Sequence, residues 1–127
     1  MSAVSFVAVL ASCSSSSSGS SSPLSSGISA AVRRVERLLP GGSQQIRAHI
    51  AGNDRFEVYR TPIPVEEWAK AIEQREVSTA GRPSVEGAHG LLFSFRGDSA
   101  CDGNYQVSVH WDPADPLTAM LNGNCED

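Results

Sequence analysis

Residues 105–125 read YQVSVHWDPADPLTAMLNGNC. In the first seven, Val107, Val109 and Trp111 alternate with Ser108 and His110, the two-residue period of a strand with one face turned to a core. The segment DPADP at 112–116 is rich in the residues that build turns, and a last short strand over about Leu117 to Asn122 follows it. Together they predict an antiparallel hairpin with Trp111 roughly opposite Leu117. Carrying that register back along both strands brings Cys101 close to Cys125 across the open end. A disulfide there would contribute about 3 kcal/mol of loop-closure entropy, a large share of a small domain's stability.

The same period continues upstream. LLFSFR at 91–96 alternates so that Phe93 and Phe95 join Val107, Val109 and Trp111 on one face. QQIRAHIAG at 44–52 places Ile46, Ala48 and Ile50 on one side and Arg47 and His49 on the other. RFEVYR at 55–60 repeats the alternation through Phe56 and Val58, with turn residues between the two runs. Two stretches change to a helical period. ISAAVRRVERLL at 28–39 has apolar residues at 28, 31, 32, 35, 38 and 39, with arginines on the far side and PGG at 40–42 as a stop. In TPIPVEEWAKAIEQRE at 61–76, Val65, Trp68, Ala69 and Ile72 form one stripe. Glu66 and Glu67 sit at the positive end of the helix dipole, Glu66 pairs with Lys70, and Trp68 is a core anchor. Residues 77–90 form a long connection without periodicity. The order α-β-β-α-β-β-β predicts an α+β domain, an antiparallel sheet of about five strands with two helices packed on one face.

The chain has 127 residues and a net charge of −4, with one lysine, Lys70, among its ten basic residues. No window is strongly basic, so nucleic acid is excluded as an expected partner. No apolar run reaches 18 residues, the length a spanning helix needs.

Ahead of the folded part the composition shifts twice. Residues 3–11, AVSFVAVLA, are an apolar run of about the length of a signal-peptide core, and it ends in LASC, made by Leu10, Ala11, Ser12 and Cys13. From Ser14 to Gly27 nearly every residue is Ser, Gly or Pro, with Leu24 the exception. Such a composition does not repay its ordering entropy by burial and serves as a flexible tether. LASC resembles the lipobox of bacterial lipoproteins, although residues 1–12 lack the basic residues that usually open such a segment. The resemblance implies that Cys13 becomes the lipidated first residue of the mature chain and holds it to a membrane. Diacylglyceryl and amide-linked chains together bury enough methylenes for stable anchoring. The expected organisation is a leader over 1–13, a tether over 14–27 and a domain over 28–127. An oxidising location outside the cytoplasm then accounts for all three cysteines: Cys101 and Cys125 bridge, and the odd one, Cys13, carries lipid.

Motifs for catalysis are scarce. No serine sits in G-x-S-x-G, and there is no phosphate-cradling glycine loop and no H-E-x-x-H. DSACDGN at 98–104 lacks the ligand spacing of a calcium loop, and the histidines at 49, 89 and 110 stand alone, so neither metal nor cofactor is expected. If the strands that carry them pair, His49, His110 and Asp112 would form a small polar site on the outward face. The sequence therefore points to a non-enzymatic cell-envelope lipoprotein domain that binds a protein or small ligand. The alternatives are a small hydrolase-like enzyme using those three residues, and an intracellular interaction or immunity-type protein.

Overall fold

A computed structural model describes residues 22–75 and 83–126. The elements run α1 (Pro23–Glu36), β1 (Gln44–Ala51), β2 (Asp54–Arg60), α2 (Val65–Glu73), β3 (Ser84–Val85), β4 (Gly90–Phe95), β5 (Tyr105–Asp112) and β6 (Asp115–Cys125). The fold is α+β, with one antiparallel sheet of six strands in the order β1-β2-β6-β5-β4-β3. The sixth strand is β3, inside the expected connection, where Ser84 and Val85 pair with Leu92 and Leu91.

The inner face can be followed across the pairing. Glu57, Leu121, Val109 and Leu91 lie abreast on β2, β6, β5 and β4, and Gly123, Val107 and Phe93 form the neighbouring row. Onto this face α1 lays Ile28, Ala31, Val32 and Val35, and α2 lays Val65, Trp68, Ala69 and Ile72. Trp68 anchors the core as expected: it is 6% exposed, and its indole N–H donates to the Leu38 carbonyl at 2.6 Å. The expected Glu66–Lys70 pair forms at 3.4 Å.

Helix α1 begins at Pro23, five positions before the apolar stripe starts at Ile28. Ser22 caps it by accepting from the Ser25 backbone N–H at 3.1 Å, Pro23 has the preset φ of a first helical position, and Leu24 packs against the core. The last part of the expected tether, from residue 23 on, is therefore helical.

The hairpin β1–β2 turns at Gly52, whose φ of +62° suits glycine, but its faces differ from the expectation. On β2 the inward residues are Glu57 and Tyr59, while Phe56 is 37% exposed on the opposite face. Both sets of alternate residues contain an apolar member, so periodicity alone does not choose the face. Pairing of Glu57 with Leu121 of β6 chooses it. Strand β1 is exposed along its whole length, and Ile46 and Ile50 are each more than half exposed.

The final hairpin also differs from its sequence reading. Strand β6 is eleven residues long and pairs with β2 as well as β5, so it lies inside the sheet. Asp112 pairs with Asp115 around the turn, and an irregularity beyond His110 restores a register in which Val109 faces Leu121 and Tyr105 faces Cys125. Trp111 is thus not paired with Leu117.

Gly123 sets the distance between α1 and the sheet. A Cβ at this position would collide with Val32 Cγ2, whereas Gly41 has open space around it. Gly123→Ala should lower stability by about 1–3 kcal/mol through overpacking. Gly41→Ala should leave it nearly unchanged, with urea unfolding midpoints as the readout.

Candidate functional site

Cys101 and Cys125 form a disulfide with 5.8 Å between their Cα atoms. The hairpin register alone does not place Cys101, because Tyr105 occupies the position opposite Cys125. Cys101 returns through a tight loop in which its backbone N–H donates to the Asp98 carbonyl at 3.1 Å. Gly103 is needed where this loop passes the end of β6, since a Cβ there would meet the Glu126 carbonyl. The bridge thus fastens the 96–105 loop to the end of the strand that runs through the middle of the sheet. Cys13 lies outside the described residues.

The three polar residues expected to meet do not. His49 is on β1 and His110 on β5, with β2 and β6 between them. His49 stacks on Phe56 with ring centroids 6.2 Å apart, His110 Nε2 lies 3.4 Å from a Glu86 carboxylate oxygen, and Asp112 accepts from the Ala114 N–H at 2.9 Å within the turn. Each has a local partner of its own. No group of three or more histidine, cysteine or acidic side chains able to hold a metal occurs among the described residues.

The most buried charge is one the sequence did not single out. The Glu57 side chain is fully buried between α1 and β2 and is held by three donors. The Tyr59 hydroxyl donates at 2.5 Å, Arg55 Nε at 2.6 Å, and Arg33 Nη1 reaches both carboxylate oxygens at 3.2 and 3.3 Å while also binding Glu36 at 2.8 Å. Burial pushes the Glu57 carboxyl up, but bonds from Tyr59, Arg55 and Arg33 outweigh it and hold the group below the usual carboxylate range. Burial, then the bond to Glu57, pushes the Tyr59 hydroxyl well above its ordinary value. With its donors so placed, the cluster ties α1 to β2 and leaves Glu57 ionised, a structural role rather than a reactive one.

A second feature is open to solvent. Between α1 and the end of β4 lies a cleft of 140 Å³, with Ala30 and Ala31 on the helix side and Phe95 on the sheet side. Arg34 leans over the Phe95 ring, 5.6 Å from its centroid, and Arg96 follows directly on the strand. In the same lining, the Tyr105 hydroxyl donates to Asp98 Oδ1 at 2.7 Å, and the Ala100 N–H donates to the same oxygen at 2.9 Å. The Tyr105 bond, with the loop N–H next, holds the Asp98 carboxyl below its usual value, and burial with that same bond pushes the Tyr105 hydroxyl up to about 12. Glycine at 27 makes this possible, because a Cβ would occupy the space of the Tyr105 hydroxyl. Neither Arg34 nor Arg96 has an ion-pair partner among the described residues.

Removing the Glu57 carboxylate takes an acceptor from Arg33, Arg55 and Tyr59, which keep Glu36, Ser29 and Gln45 as partners, so Glu57→Ala should cost about 1.5–3 kcal/mol in chemical denaturation. The folded-state pKa lies below the unfolded value of about 4.3, so the carboxylate's contribution is fully present above that value and is lost as pH falls through the folded pKa. The stability gap between wild type and Glu57→Gln should therefore narrow with acidification. Cys101→Ser should cost about 3 kcal/mol, and reductant should lower the wild type to a similar stability. Comparison of the chain with protein-family models, curated proteins and solved structures finds no match.

Proposed function

We propose that this chain is an exported lipoprotein, lipidated at Cys13, whose folded domain is displayed outside the cytoplasm on a bacterial envelope and binds a ligand or partner there without performing chemistry on it. The observation that carries this reading is the division of the three cysteines. Two are joined across the end of the central hairpin, and the third stands in LASC, directly before a serine-rich segment. Structural disulfides persist in oxidising compartments, and a small domain gains most from them. An acylated cysteine followed by a polar spacer gives a folded domain a stable anchor and reach from the membrane surface.

The layout of the domain supports binding over catalysis. His49, His110 and Asp112, the residues available for a hydrolytic site, are each engaged separately, and the buried carboxylate is locked by three donors. The cleft beside Arg34 instead combines aromatic, cationic and anionic groups on a braced frame, as a recognition site does.

Intact mass spectrometry of the protein from its native host should find a chain that begins at Cys13 and carries added acyl mass, recovered with membranes. Cys13→Ser should move the protein to the soluble fraction. A chain that keeps residues 1–12 and bears no acyl group would overturn the lipoprotein reading.

A further inference from the structure

We propose that the cleft between α1 and the disulfide-braced 96–105 loop binds a small zwitterion of amino-acid size, its carboxylate on Arg34 and Arg96 and its ammonium on Asp98. This deepens the binding-domain reading and rests on it, since the Cys101–Cys125 bridge fastens the loop that carries Asp98.

Charge gives the first reason. In a chain of net charge −4, Arg34 and Arg96, neither with a carboxylate partner among the described residues, line the same cleft as the ionised Asp98. Guanidinium forks recognise a ligand carboxylate through paired N–H donors, and stacking of Arg34 on Phe95 limits the orientations that side chain must lose on binding. Asp98 is positioned before any ligand arrives, by Tyr105 from the sheet and by the Ala100 N–H from its own loop. A doubly charged anion would gain the arginines but meet repulsion from Asp98, whereas a simple carboxylate would leave Asp98 without a counter-charge. A ligand that is anionic at one end and cationic at the other satisfies both kinds of charge.

Size gives the second reason. The cleft volume of 140 Å³ is close to the roughly 150 Å³ of a cavity that admits benzene, and so suits about six heavy atoms, the number in alanine. Its apolar lining, Ala30 and Phe95, offers contact to a short aliphatic side chain.

The test is a titration of the oxidised full chain carrying Cys13→Ser, followed by amide chemical shifts. L-alanine is the probe, with propionate, alaninamide and inorganic phosphate as comparisons. Alanine should shift Gly27, Ala30 and the amides from Phe95 to Asp98 in a saturable way, with the two half-ligands binding at least about tenfold more weakly. Arg34→Gln and Arg96→Gln should each weaken alanine by about tenfold while leaving the remaining resonances in place, which separates lost contact from lost fold. Absence of saturable shifts at tens of millimolar alanine would overturn the proposal, as would equal binding of propionate or tighter binding of phosphate. Binding in vitro by a protein that native cells leave without lipid would reject the envelope reading and keep the cleft. A lipidated, oxidised protein that ignores alanine would do the reverse.

Discussion

Strand β6 is paired along both sides, with β2 from Arg55 to Arg60 and with β5 from Tyr105 onward, and its inner face presents Ala119, Leu121 and Gly123 to the helices. That combination constrains most of the domain. Pairing on both sides joins the N-terminal hairpin to the C-terminal one, so the sheet is continuous even though its halves are separated in sequence by α2. The small residues let α1 come down close, with Ile28 and Val32 resting over Gly123. A larger side chain there would lift the helix, and with it Arg33 and Arg34, which serve the Glu57 cluster and the cleft respectively. The last residue of β6 is Cys125, so the bridge transmits the rigidity of the most constrained strand to the loop that carries Asp98.

The helical layer is narrower than the sheet, and this accounts for the exposed apolar residues of β1. Helix α1 packs on β2, β5 and β6 and α2 on β4 and β6, which leaves β1 beyond the cover. Ile46 and Ile50 on β1 lie beyond that cover, while Phe56 and Met120 are exposed on the opposite face of the sheet, each of the four more than a third exposed. Both sheet edges carry protection against pairing with other chains. At one, β3 is only two residues long. At the other, β1 has a register shift between Gln45 and Arg47 and bears the Arg47 charge.

Local periodicity made the two helices legible, along with the inward sets of β4 and β5 and the residues of the core on α2. These elements are amphipathic in only one way. The cysteine pairing was also legible, because the hairpin brings its open ends together, although Tyr105 takes the position opposite Cys125 and Cys101 reaches it through the loop before β5. What escaped depends on partners distant in the chain. The face of β2 is decided by β6, sixty-odd positions away, and by the three donors that make a buried Glu57 tolerable. The separation of His49 from His110 follows from the insertion of β2 and β6 between their strands, a topological fact that alternation does not carry. The cleft depends on Gly27, Arg34, Asp98 and Tyr105, four residues from three parts of the chain. The signal for the early helix start was present in Ser22-Pro23, a cap followed by a first-position proline, but the serine-rich composition around it obscured it.

The account turns on the oxidation state of two side chains in the living cell. Rapid acid quenching of native cells that express the Cys13→Ser chain, followed by alkylation with a mass-tagged thiol reagent with and without prior reduction, reads it directly. With Cys101 and Cys125 joined, the quenched protein takes up tag only after reduction. Two tags taken up without reduction would show free thiols and contradict an exported, disulfide-braced binding domain.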